Sequence, residues 1–337
     1  MCIAMKKHRF ARIVVLARHM VVSLSLLIMA QTAVLSQTKY PTGPIELIVA
    51  FAPGGASDSA GRSLAPYLSK YLGVPVIVKN LPPPRTGEDI FSRSKPDGYT
   101  VGVMAGSAVA SDETFFKVRF RGREFAWIAT NAASPGVIFA NAKGPIQRFD
   151  DLAKVAAQRP IKIGAFSKYS STTIAAMIAL EEKKVRYSFV TGFKGAAPAM
   201  TSLIRGETDI VGTTLTSGSA FYKSGDARPI LLFDSERNPQ LPDTPTLEQA
   251  GLSPSSGYLG SVVFALVAPP GTSKEVRDIL GAAHKKAIDD PMYRAQIEKV
   301  GFTLSYVPPE KVQQWINNLY QEFEKMKSLV EADATKN

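Results

Sequence analysis

The chain has 337 residues, 45% apolar and 20% charged, with mean hydropathy near zero and a formal net charge of +11. That is a globular composition, long enough for one large domain or two α/β lobes, and it carries no solenoid repeat and no low-complexity tract. One cysteine (Cys2) and three histidines (His8, His19, His284) leave almost nothing from which to build a zinc site, a thiol centre or a Ser-His-Asp triad. No GxSxG elbow occurs, so the residues argue against an enzyme, and no cofactor motif is found.

The first 36 residues stand apart. Lys6, Lys7, Arg9, Arg12 and Arg18 form a basic leader without an acid, and the apolar segment 20–30 follows. Eleven apolar residues fall short of the ~20 a membrane helix needs. Val34 and Ser36 suit the small-residue positions of a signal-peptidase site, so residues 1–36 read as a signal peptide cleaved after Ser36. No cysteine follows the apolar core, which excludes a lipoprotein anchor. Without the leader, 35 basic residues face 29 acidic ones, a net charge of +6. This modest excess suits a small acidic ligand and gives no ground for a nucleic-acid partner.

The stretch Ile45 to Tyr71 organises the rest. Ile45–Phe51 is a nearly unbroken apolar run, as expected of a strand covered on both faces. Pro53, Gly54 and Gly55 break it, and a helix is expected to start at Ser57 or Asp58 with Leu64, Leu68 and Leu72 inward. Such a turn aims free N–H groups and the positive end of a helix dipole at solvent, a ready anion site. It lacks both the Walker Gly-Lys-Ser/Thr and the GxGxxG spacing.

Val74–Val78 reads as the next strand and LPPPRTG (81–87) as a stiff loop, with a short helix at Ile90–Arg93. Tyr99–Met104 is a third strand ending at Gly106-Ser107. Strands are expected at Phe125–Thr130 and Gly136–Asn141, and a helix at Phe149–Gln158. Ile161–Phe166 then leads through SKYSSTT to a helix at Thr172–Lys183, a second strand–loop–helix unit rich in hydroxyls where the first has glycines. Further strands at Tyr187–Val190, Ile230–Phe233 and Val262–Ala268 alternate with helices at Ala196–Arg205 and from Lys274 to Ile288. His284 is expected on a helix surface. Val312, Trp315, Ile316, Leu319, Phe323, Met326 and Val330 give the last segment a stripe of 3–4 spacing, a packing face. The recurrence of strand–loop–helix units before and after residue 135 suggests two α/β lobes with a ligand cleft between them.

The segments 40–80, PDGYT (96–100), FKGAAPA (193–199), SLIRGETDI (202–210), LPDTPTLEQAGL (241–252) and APPGTSKEV (268–276) resemble, in order and spacing, the Bug-type solute-binding receptors of tripartite tricarboxylate transporters. The resemblance implies an exported, periplasmic protein: a two-lobed type II periplasmic binding protein of the α/β class. Its lobe I would comprise residues 37–135 and 236–337, and its lobe II residues 136–235. It further implies a receptor capturing a small carboxylate for the membrane subunits of a transporter, with no catalysis and no cofactor. A sensor kinase is the alternative partner, and a monomer is expected.

By matching positions, the implied ligand walls are Pro53, Gly54, Gly55 and Ala56; Ser107; and Ser167, Lys168, Ser170, Ser171 and Thr172, with Thr213 after the second-lobe strand. Asp58 and Arg62, four apart on a helix, are expected to pair and cap. The chain departs from the family where a glycine-rich turn is usual: it has Asn80-Leu81-Pro82-Pro83-Pro84-Arg85-Thr86 there, Thr173 for a histidine, Phe193 for a tyrosine, and Val263 for a tryptophan. Arg85 and Lys168 are therefore candidate cations for a ligand carboxylate.

Overall fold

A computed structural model describes residues 40–253 and 255–334, so the leader and its expected cleavage site lie outside the described residues. The first half alternates β1 (Ile45–Val49), α1 (Ala56–Leu72), β2 (Val76–Asn80), α2 (Pro84–Ser92), β3 (Thr100–Ala105) and α3 (Gly106–Phe115). β1 is apolar because it lies inside a sheet, parallel to β2 on one side and β3 on the other, with only Glu46 of its five residues exposed. α1 packs so closely that a Cβ on Gly61 would come within 2.8 Å of the Val49 side chain. β4 (Ala126–Ser134) belongs to the same sheet and carries the chain to the end of this lobe's first part.

The chain then crosses at Pro135 into β5 (Gly136–Asn141), α4 (Asp151–Gln158), β6 (Ile161–Gly164), α5 (Ser171–Glu182), β7 (Tyr187–Val190), α6 (Ala196–Ile204), β8 (Ile210–Thr214), α7 (Leu215–Lys223) and β9 (Ala227–Leu232). It returns through the short α8 (Ser255–Gly260) into β10 (Val262–Ala268), α9 (Lys274–Asp289), α10 (Pro291–Lys299), β11 (Thr303–Leu304) and α11 (Pro309–Ala334). The first sheet has the order β11-β4-β10-β3-β1-β2 and the second β7-β6-β8-β5-β9. The two crossings touch: the Phe233 N–H donates to the Gly136 carbonyl at 2.9 Å, and a Cβ on Gly136 would lie 2.0 Å from the Gly260 carbonyl oxygen. Only glycine fits there.

α5 is buried along its whole length from Ser171 to Leu180. Ile174, Met177 and Ile178 join the core of the first lobe, with Phe91, Phe125, Trp127 and the α11 stripe, while Ala175, Ala176, Ala179 and Leu180 join the core of the second. A helix apolar all round is one covered all round, and α5 is the seam between lobes.

Several local expectations are corrected. α1 starts at Ala56 with Gly55 as its N-cap, because the Asp58 carboxylate takes the Gly54 N–H instead of capping its own helix. LPPPRTG is not wholly loop: α2 starts at Pro84, where a missing N–H costs nothing at a helix N-terminus. α3 and α7 went unforeseen, since their sequences lack a clear apolar stripe. His284 is fully buried, stacked 6.2 Å from Tyr306, and neither ring nitrogen has a partner. Burial holds it neutral, its pKa lowered to about 3.

Candidate functional site

The strands β1, β2 and β3 run parallel, as do β6, β7 and β8, so the loops after them gather at one edge of each sheet. These two edges face each other. Ser171 Oγ donates to Ser107 Oγ at 3.3 Å, the Leu215 N–H donates to the Pro135 carbonyl at 2.8 Å, and Ser134 and Thr216 hydroxyls meet at 2.7 Å. Six helices start at the facing edges: α1, α2 and α3 from the first lobe, α5, α6 and α7 from the second. The first N–H groups of each lack intrahelical acceptors, and each dipole is positive at this end.

The glycine wall is locally held. Gly54 has φ 86°, and its N–H donates to Asp58 Oδ2 at 2.9 Å. The same carboxylate accepts from Arg62 Nε at 3.0 Å and Asn80 Nδ2 at 3.0 Å. Burial pushes the Asp58 carboxyl up, but hydrogen bonds from Arg62, Gly54 and Asn80 outweigh it and hold it below the ordinary range. The expected Asp58–Arg62 pair is present, and it shapes the turn. Pro53, Gly54 and Gly55 stay exposed, and the Ala56 and Ser57 amides remain at the α1 start.

Arg85 is turned to Asp112, 3.3 Å away, and its guanidinium lies 4.0 Å over the Phe116 ring. Beneath it Glu88 is 1% exposed with Oε2 unpartnered. Burial, then the nearby Asp112, push the Glu88 carboxyl well up; burial raises Asp112 to about 6 despite Arg85. Arg85 thus serves two acids beside it.

The hydroxyl wall forms around the α5 start. Ser170 caps the helix, its Oγ accepting the Thr173 N–H at 3.4 Å and donating to Thr173 Oγ1 at 2.7 Å. The Thr172 hydroxyl donates to the Gly212 carbonyl at 3.1 Å, and Ser167 Oγ accepts the Tyr169 N–H at 3.2 Å. Lys168 Nζ lies 5.3 Å from the Tyr169 ring centre. Thr213 is buried in β8 opposite Val137. The structure therefore brings Ser107 and Ser171 into contact and sets Arg85 apart with its own acids.

Tyr169, which the sequence did not single out, joins the lobes. Its ring stacks on Phe115 at 5.0 Å and meets Phe116 edge-on at 5.0 Å, while the Ser111 hydroxyl donates to its carbonyl. The signal was the spacing of Ser107, Ser111 and Phe115, every fourth residue on one face of α3. Beside Ser107 lies a cavity of about 240 Å³ lined by Ser107, Gly257, Ser261, Val263, Trp315 and Leu319. Among the described residues no group of His, Cys, Asp and Glu could hold a metal ion, and no helix is long and apolar enough to cross a membrane.

Two α/β lobes, crossed twice by the chain and opposed through helix N-termini, define a periplasmic binding protein fold with the cleft between the lobes. The sequence pattern of the tripartite tricarboxylate transporter family receptor matches residues 60–334, and the chain belongs to that family of Bug-type solute-binding receptors. It is 24% identical over 293 residues to BugT of Bordetella pertussis, covering 84% of this chain and 88% of that protein. Its fold matches the periplasmic binding protein BugD with a TM-score of 0.74 at 24% identity, over 86% of this chain and 98% of the other. It matches MatC of Rhodopseudomonas palustris, solved with bound malate, with a TM-score of 0.74 at 22% identity, over 85% of this chain and 99% of the other.

Proposed function

We propose that this receptor captures a small carboxylate in the periplasm and hands it unchanged to the membrane subunits of a tripartite carrier. The observation that carries the reading is the convergence of six helix N-termini on the facing lobe edges. In a cleft closed to water, such N–H dipoles hold an anion that no full cation needs to neutralise. The malate bound by MatC, a fold relative, supports a carboxylate as the class of ligand.

In this reading lobe I comprises residues 37–135 and 236–337 and lobe II residues 136–235, close to the crossings at Pro135 and after β9. Pro53, Gly54, Gly55 and Ala56 supply one wall, Ser107 a second, and Ser167, Lys168, Ser170, Ser171 and Thr172 a third, with Thr213 behind it. Lys168, which no carboxylate holds among the described residues, is the cation at the mouth, and Arg85 reaches the ligand only by leaving Asp112.

The test is a thermal-shift screen of residues 37–337 against mono-, di- and tricarboxylates. A ligand at a hundred times its Kd stabilises the folded chain by about 2.7 kcal/mol. Ser171→Asp suits a helix start but sets a fixed anion at the wall, so it should abolish every shift while the variant stays folded. Shifts that survive Ser171→Asp place the ligand elsewhere. Co-purification of the tagged receptor with carrier subunits, rather than a sensor kinase, decides the partner, and recovery of the intact ligand excludes turnover. Recovery of a chain beginning at Gln37 from the periplasmic fraction tests export.

A further inference from the structure

The cavity beside Ser107 differs in character from the walls around it. α3, the start of β10, α8 and α11 border it, and its lining is the Trp315 indole, Val263, Leu319, Gly257 and the hydroxyls of Ser107 and Ser261. None of these side chains is charged. Ser107 is 2% exposed and stands in the first turn of α3, whose N-cap Ala105 offers no side-chain acceptor. Its Oγ accepts from Ser171, which leaves its own proton to donate. Trp315 is fixed in place: it packs on Gly106, where a Cβ would lie 2.2 Å from the indole, and meets Trp127 edge-on at 6.0 Å.

Two consequences follow from that lining. A second carboxylate pushed into this space would be buried with no cation, a cost of several kcal/mol. An apolar body would instead gain the burial of the surface it lays against this lining. Size points the same way, since a dry apolar cavity of ~150 Å³ holds a benzene ring and this one is about 240 Å³.

We propose that the ligand is a monocarboxylate bearing a single aromatic ring, its carboxylate at the α3 N-terminus and Ser107 hydroxyl, its ring between Trp315, Val263 and Leu319. This rests on the carboxylate-receptor reading above and adds a ligand class to it. The ring is selected by what the cavity lacks, a charge, as much as by its indole wall.

Benzoate, malate and adipate are titrated against residues 37–337 by calorimetry and by tryptophan fluorescence. Benzoate is expected to bind at least tenfold more tightly than either diacid and to quench emission. Trp315→Phe, which keeps an aromatic wall and leaves Trp127 as the sole indole, should remove the quench while benzoate still binds. Val263→Trp fills the cavity and should weaken benzoate at least tenfold; if that variant does not fold, the Trp315→Phe fluorescence result stands in its place. Malate or adipate binding as tightly as benzoate overturns the proposal while the carboxylate reading survives. Benzoate binding with the quench retained in Trp315→Phe also overturns it, since the ring would then lie elsewhere. No heat and no thermal shift with any carboxylate overturns the broader reading along with it.

Discussion

In the lobe built on the first sheet, the polar side chains shut away from water include the ionisable groups Asp58, Glu88, His284 and Asp290. In the lobe built on the second sheet they are Ser171, Thr172, Thr173, Ser202, Thr208, Thr213 and Thr214, hydroxyls throughout. A buried charge stabilises strongly when every partner is in place and costs heavily when one is lost. A buried hydroxyl stabilises less, but does so at any pH. The first lobe therefore presents a wall made rigid by charge, and the second a wall held by caps and by contact with its opposite. The cleft lies between one surface held by its own charges and another held partly by contact with the opposite lobe.

The first way to break this contrast is to remove Asp58. Asp58→Ala leaves the Gly54 N–H, Arg62 and Asn80 without their shared acceptor, and a loss of about 2–3 kcal/mol is expected in urea unfolding. The carboxyl is held below its ordinary range, so its contribution is complete above the unfolded pKa and disappears as the pH falls through the lower folded value. Asp58→Asn, nearly isosteric, should lose the same acid dependence. A variant as stable as the parent would show that the glycine turn holds itself.

His284 is the second. Its pKa is lowered to about 3 from an ordinary 6.5, so between these values the unfolded chain binds the extra proton. Stability falls as the pH drops below 6.5, by about 1.4 kcal/mol per unit, or about 2 kcal/mol at pH 5. Asp112, raised to about 6, acts in the opposite sense: its share is present below the ordinary carboxyl value and is lost as the pH rises through 6. The quantity to measure is therefore the stability difference between the parent and His284→Phe at pH 7 and pH 5. A difference that does not change with pH would mean the imidazole is reached by water.

Much of this was legible in the sequence and some was not, for physical reasons. The strand–glycine–helix unit at 45–72 announces itself because an apolar run, a PGG break and a 3–4 stripe are all local patterns. The hydroxyl wall was visible as the run SKYSSTT between a strand and a helix for the same reason. α3 was missed because its exposed and buried residues do not sort into a stripe: Gly106 and Ser107 face Trp315 and the other lobe. His284 was placed outside since Lys285 and Lys286 follow it, yet a helix turns about 100° per residue and carries them to the far side. Arg85 reads as a free cation until the fold brings Asp112, 27 positions away, beside it. Tyr169 carries no signature in its own segment, because its partners Phe115 and Phe116 belong to the opposite lobe and the signal lies in the spacing on α3.

Tyr169 is for that reason the sharpest probe of the second wall. Aromatic pairs contribute about 0.5–1.5 kcal/mol each beyond area, so Tyr169→Ala should cost the closed form about 1–2 kcal/mol. The expected readout is ligand affinity weaker by about 5–30-fold. Tyr169→Phe, which retains both ring contacts, should bind like the parent. Equal affinity in Tyr169→Ala would show that closure does not draw on this contact.

The smallest effect belongs to Ser170, and it separates the two kinds of wall. Its Oγ accepts the Thr173 N–H at 3.4 Å, a long cap bond, so Ser170→Ala should cost about 0.5–1 kcal/mol. Because a hydroxyl does not titrate in this range, that cost should be the same at pH 5 and pH 7, in contrast to the shifting difference expected for His284→Phe. If the Ser170→Ala penalty changed with pH, a charge would have to reach the start of α5. Lys168, two residues away in the chain, is the nearest such group in sequence, and Lys168→Met would test it.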